Sequence, residues 1–170
     1  YIKVDAGNLS IKEEQYFNVE AERFLGSKEV AINTIDEIFS KSVALEYEKD
    51  HELGKEHFSL LSGGLDSRVA VLYAEKLQLN PDKMFCFSQS NYLDETISRK
   101  IAEKFNFDYH FAPLDGGIFL KNIDKMVSIS EGMVLYTGSI HVDFAMQQFY
   151  QEQFGLIHSG QIGDGVLGGF

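Results

Sequence analysis

The segment Leu61-Ser62-Gly63-Gly64-Leu65-Asp66-Ser67 combines residue types that together handle phosphate. Two adjacent glycines permit a tight turn and let the backbone approach a ligand closely. A helix starting just after them presents unpaired N–H groups and the positive end of its dipole, which suits an oligophosphate. Ser62 and Ser67 add hydroxyl donors. Asp66 would repel a phosphate unless a cation lay between them, so the pattern calls for Mg²⁺. The chain has no Gly-Lys-Ser or Gly-Lys-Thr, so this is not a Walker A loop, and the glycine spacing is not G-x-G-x-x-G. A bare Ser-Gly-Gly would read as a strand-to-helix turn with an Asp in the helix's first turn. The complete string favours nucleotide binding.

Suitable elements stand on either side of this loop. Residues 57–61 form a short apolar strand, and residues 66–78 have helical periodicity, with Val69, Ala70, Leu72, Tyr73 and Leu77 toward a core until Asn80-Pro81 breaks it. Further strands are expected at 84–87, 109–112 and 156–158. Helices are expected at 94–105, through Ile123 and Val127 after Gly116-Gly117, and at about 139–153. The last strand opens into a loop in which five of the ten residues from 160 to 169 are glycine. Upstream, the start of the chain reads as a hairpin turning at Gly7-Asn8. Ser27 then caps a helix over about 28–47, with Ile35, Ile38, Phe39 and Val43 inward, and residues 50–56 read as a loop. Strands alternating with helices imply right-handed crossovers and the α/β class: a three-layer αβα fold with a parallel sheet. Ligands in such sheets lie at the carboxyl ends of the strands, where the loops at 62–64 and 159–160 fall.

Length and composition narrow the functions further. At 170 residues the chain has material for one domain and one sizeable core. Fifteen Lys plus Arg against 26 Asp plus Glu give a net charge of −11. Nucleic-acid binders usually carry the opposite sign, so a nucleic-acid partner is not expected. No apolar run reaches membrane-spanning length and no segment reads as a signal peptide, so no membrane partner is expected either. The single cysteine, Cys86, excludes an internal disulfide and a Cys-rich zinc site, fits a reducing cytoplasm, and reads as core. The five histidines are His51, His57, His110, His141 and His158, and none has a second ligand at i+3 or i+4, which weighs against a metal site built on them. Arg68 and Lys104 read as solvent residues, and Phe105, Phe107, Tyr109 and Phe111, alternating at period two, as core.

The string at 61–67 resembles the pyrophosphate-binding loop of the N-type ATP pyrophosphatases, the PP-loop superfamily. Within it the chain is similar to the synthetase domain of glutamine-hydrolysing asparagine synthetases and of relatives such as β-lactam synthetase. Met84 to Ser88 stands where those proteins have their second strand, 94–105 resembles their Glu- and Ala-rich helix, and residues 158–170 resemble their S-G-x-G-x-D-E-x-F-G-G-Y. The likeness spans about 28–170. It implies an adenine-nucleotide hydrolase-like fold, here truncated at its C-terminus, with residues 26–170 its N-terminal part and residues 1–25 the tail and linker of a preceding glutaminase domain. It implies ATP and Mg²⁺, activation of a carboxylate as an adenylate, a small-molecule carboxylate substrate such as aspartate, ammonia from a glutaminase domain, and compatibility with a homodimer. Carried over residue by residue, Ser62, Gly63, Gly64, Asp66 and Ser67 hold pyrophosphate. Asp66 and Asp164 hold Mg²⁺, converging to within roughly 8 Å. Ser159 and Gly160 contact the adenylate, the backbones of Leu60 and Phe87 bracket the adenine, and Glu131 matches an acidic residue before the long helix.

The departures from the family pattern concern the acceptor. Gln161 stands where the family has a glutamate, Ile162 where it has glycine, and Gly165 where it has an acidic residue. Glutamine can orient a group but cannot take its proton at neutral pH, so Gln161, as the candidate catalytic position, puts asparagine formation in question. The family's charge-stabilising lysine lies beyond Phe170 and its N-terminal cysteine nucleophile before Tyr1, so this stretch alone is expected neither to hydrolyse glutamine nor to make asparagine well. Three other readings stay open: a nucleotide-binding domain with another or a decayed acceptor site, an ammonia-dependent NAD or GMP synthetase-type enzyme, and, less favoured by the acidity and the second Gly-rich loop, a tRNA-modifying PP-loop protein.

Overall fold

In the computed structural model, the structure describes residues 1–18, 26–79, 81, 83–133, 135–150 and 153–161. The chain divides into two units, Tyr1–Ile35 and Asp36–Phe170. In the first, β1 (Ile2–Val4) and β2 (Ile11–Glu13) pair antiparallel. The Asp5 carboxylate accepts the N–H groups of Gly7 and Asn8 at 2.8 and 3.1 Å, which makes the turn at the expected place. Helix α1 (Lys28–Leu53) begins in this unit. Ser27 Oγ accepts the Val30 N–H at 3.3 Å, the cap expected from the sequence.

The second unit is α/β, built on β3 (Glu56–Leu60), α2 (Leu65–Lys76), β4 (Lys83–Ser88), α3 (Leu93–Phe105) and β5 (Asp108–Pro113). A 3₁₀ helix (Asp115–Asn122), α4 (Ile123–Ile129), α5 (Tyr136–Phe149) and β6 (Phe154–His158) follow. The four strands form one parallel sheet in the order β5-β4-β3-β6. Strand alternation sends successive side chains to opposite faces. On one face Phe58, Phe85 and Phe154 pack with Met146 and Phe149 of α5. On the other, Leu61 and Met84 pack with Val71 of α2 and Ile101 of α3. Helices on both faces make the three layers expected. Between Glu56 and Phe58 the pairing of β3 with β6 slips, so two steps along β3 face three along β6. One extra residue reverses the facing of everything beyond it. Phe154 therefore enters the α5 face, while His158 reaches Asp50 of α1 behind the other.

Several details differ from the sequence reading. Residues 50–53 are the last turn of α1 rather than loop, and β3 starts at Glu56. Ile35 and Ile38 are exposed; Val43 is buried as expected, and Tyr47 and Asp50 are buried with it, Val43 and Tyr47 packing against Ala74 of α2. In α2 the fully buried residues are Val71 and Ala74, because the helix is gripped between the sheet and α1. Helix α5 ends at Phe149 instead of reaching 153. Tyr109 and Phe111 are half-buried, as befits β5 at the sheet edge; Phe105, which ends α3, and Phe107, before β5, are half-buried too, and Phe107 and Tyr109 pack against the Leu61–Met84 core.

Cys86 is 3% exposed, and burial pushes its thiol up. The folded protein is expected to leave a chromogenic disulfide reagent unreacted at neutral pH and to consume one equivalent once urea unfolds it. Immediate reaction without urea would contradict the packing of β4 against α3.

Candidate active site

The strand order reverses next to β3. The chain steps outward from β3 through β4 to β5, then crosses back to place β6 on the other side of β3. At such a switch point, loops leaving neighbouring strands diverge and open a crevice at their carboxyl ends. A cleft of about 550 Å³ lies there. It is lined by Ser62, Gly64, Asp66 and Ser67 from the loop after β3 and by Ser159, Gly160 and Gln161 after β6. Leu60 and Phe87, the positions expected to bracket an adenine, line it too.

The loop after β3 is held by its own side chains. Ser62 Oγ and Ser67 Oγ are 2.8 Å apart, and Ser67 Oγ accepts the Ser62 N–H at 3.0 Å. Ser62 Oγ accepts the Gly64 N–H at 3.1 Å, and Arg68 Nε donates to the Gly64 carbonyl at 3.0 Å. Arg68 is therefore a loop brace and not simply a solvent residue. Gly64 caps α2 with extended backbone and no side-chain hydrogen bond. The helix start, with Asp66 in its first turn, thus faces the cleft without a capping side chain of its own.

Space, not left-handed backbone, requires the glycines here. Gly63 has no φ in the left-handed region, but a Cβ on it would lie 2.7 Å from the Leu93 carbonyl oxygen. A Cβ on Gly160 would enter the main chain of Asp66 and Ser67. Gly160 therefore rests directly on the first turn of α2. Gln161 follows, its N–H 3.4 Å from Ser159 Oγ.

Asp94 and His141 are among the lining residues that were not read as functional from the sequence. Asp94, in the first turn of α3, accepts the Gly63 N–H through Oδ1 at 2.9 Å. It binds the loop from the neighbouring strand's end, and the strand-end rule applied to β4 as well as to β3 would have found it. His141 of α5 also lines the cleft, with its ring 5.6 Å from that of Phe87. Glu131 does not line the cleft; it is exposed on the turn after α4 with φ 50°. Asp164, Ile162 and Gly165 lie outside the described residues. Among the described lining residues the charged side chains are Asp66 and Asp94, with no lysine or arginine.

Behind the cleft, Asp50 ties three elements together. Its Oδ1 accepts the Leu156 N–H at 2.7 Å, and its Oδ2 lies 2.9 Å from His57 Nδ1 and 2.6 Å from His158 Nε2. Burial alone would raise this carboxyl. The Leu156 N–H and the two imidazoles outweigh it and hold the group below its ordinary range. Tyr47 adds a hydrogen bond to Ser59 Oγ at 2.8 Å. Helix α1 thereby fixes β3 and β6 just before the two strands release the site loops.

A family model described as asparagine synthase matches residues 34–170. The chain belongs to that family. Asparagine synthase membership brings an ATP-using, ligase type of function, and the match covers both loops of the cleft. No curated protein matches the chain. Among the described residues no helix is long and apolar enough to cross a membrane.

Proposed function

We propose that the cleft binds ATP and adenylates a carboxylate. The carboxylate oxygen attacks the α-phosphorus, the bond from that phosphorus to the bridging oxygen of the β-phosphate breaks, and pyrophosphate leaves. An amine then attacks the acyl carbon, AMP departs, and the amine proton passes to solvent or a base. One observation carries this reading: the start of α2 and the residues Ser159–Gly160 face one cleft in direct contact, so a nucleotide spanning them has its phosphates on the helix and its adenylate portion on β6.

In this reading Ser62, Ser67 and the first N–H groups of α2 bind the departing pyrophosphate. Leu60 and Phe87 flank the base, and Ser159 and Gly160 hold the adenylate. The donor set fits Mg²⁺: a polyphosphate entering a cleft whose charged lining is Asp66 and Asp94 needs a cation, and Asp94 is already engaged by Gly63. Asp66, with Asp164, would hold it, and it would supply charge neutralisation of the leaving group. Gln161 orients the acceptor without taking a proton. This favours, as a second reading, an acceptor pair other than aspartate and ammonia. Ammonia delivery from a glutaminase domain, a homodimeric assembly and a cytoplasmic location belong to the same proposal.

The test is product analysis with the intact protein. Incubated with Mg·ATP and a panel of carboxylates and amines, it is expected to give AMP and pyrophosphate; ADP and phosphate would refute the reading. Calorimetric titration should show Asp66→Asn weakening Mg·ATP binding about tenfold or more, which corresponds to about 1.4 kcal/mol. Equal affinity would remove Asp66 from the site. If the protein makes asparagine at ordinary rates and Gln161→Glu changes nothing, aspartate is the substrate and the second reading fails.

A further inference from the structure

Three side chains able to ligate a metal meet outside the cleft: Asp50 from α1, His57 from β3 and His158 from β6. The carboxylate is fully buried, and the two imidazoles are 7% and 4% exposed. One ligand atom from each residue lies within 4.8 Å of the others. Asp50 is used asymmetrically. Oδ1 is taken by the Leu156 N–H, and Oδ2 alone faces both rings. That is the arrangement of a one-oxygen carboxylate ligand whose other oxygen is fixed by an outer hydrogen bond. The rings are oriented as well. Tyr47 stacks on His158 at 4.1 Å and 16°. Glu46 Oε2 lies 3.8 Å from His158 Nδ1, the nitrogen that carries the proton when Nε2 ligates.

We propose that Asp50, His57 and His158 form a binding site for one zinc-class divalent cation, through Oδ2, Nδ1 and Nε2. Two imidazoles and a carboxylate suit Zn²⁺, whereas Mg²⁺ and Ca²⁺ prefer all-oxygen shells. Zinc bonds of about 2.0–2.1 Å in a tetrahedron place ligand atoms roughly 3.3 Å apart. Loading therefore opens the contacts at 2.9 and 2.6 Å by about half an ångström as the cation replaces the protons on His57 Nδ1 and His158 Nε2; each ring stays neutral with one proton on its other nitrogen, and any second ring proton leaves to solvent. The sequence hid this site because its ligands come from positions 50, 57 and 158, with no motif spacing. It does not depend on the nucleotide reading.

The test uses the intact protein, stripped with a chelator and titrated with ZnCl₂. One zinc per chain is expected, and Asp66→Asn should retain it. Co²⁺ should give the intense visible absorption of a four-coordinate ion, which added Zn²⁺ erases. His57→Gln and His158→Gln are expected to lose about a hundredfold or more in affinity. Because either variant can fail to fold, the wild-type protein is also followed by nitrogen NMR of its histidine rings. His57 Nδ1 and His158 Nε2 should shift together at one equivalent of zinc. No zinc uptake, uptake that leaves those two nitrogens unshifted, or a six-coordinate cobalt spectrum overturns the proposal and leaves the cluster a hydrogen-bonded clamp.

Discussion

Gly160→Ala is expected to lower kcat/KM for ATP cleavage about 10²-fold, although the residue carries no side chain to do chemistry. The added methyl would enter the backbone of Asp66 and Ser67, and a main chain cannot rotate aside as a side chain can. Either the loop after β6 lifts or the first turn of α2 moves. Both displace groups that must address one nucleotide, and misplacement by about an ångström costs on this order. Overpacking should also remove about 1–3 kcal/mol of stability. Steady-state pyrophosphate release and urea unfolding separate the two effects. Wild-type kinetics in a folded variant would mean that the two loops do not cooperate.

Asp50→Ala is expected to destabilise the chelator-treated protein by about 3–5 kcal/mol. The substitution leaves the Leu156 N–H and two imidazoles without their shared acceptor in a buried position. Each abandoned group loses a partner and regains no water. Urea denaturation with an unchanged slope should show the midpoint falling accordingly. A loss below about 1 kcal/mol would show that the cluster relaxes to solvent and holds nothing in place.

The alternation of strands and helices from residue 56 onward was legible because its signals are local: apolar runs of strand length, helical spacing, and Gly or Pro punctuation between them. The loop at 62–67 was legible for the same reason, since its turn, its helix start and its hydroxyls are contiguous. What escaped the sequence was long-range. Asp50 looks like a loop residue and His57 like an ordinary strand residue until donors 106 and 108 positions away are brought to Asp50. Asp94 serves a loop 31 residues earlier. Tyr73 and Leu77 pack inward as expected, but the fully buried positions are Val71 and Ala74 because α2 is covered on two sides, and a one-sided periodicity cannot indicate which stripe is buried deepest.

The position of β6 has a consequence for synthesis. As the chain leaves the ribosome, β3, β4 and β5 become available in succession, and each can pair with the one before it. The other edge of β3 must wait until β6 has emerged, with most of a hundred further residues in between. Throughout that interval a nascent chain displays an unpaired strand edge beside Phe58 and a carboxylate that has yet to meet its partners. Closing so long a loop is slow, and an open edge invites pairing with a neighbour. The interval before residue 154 is thus when this protein is most open to misassembly and has most use for a chaperone.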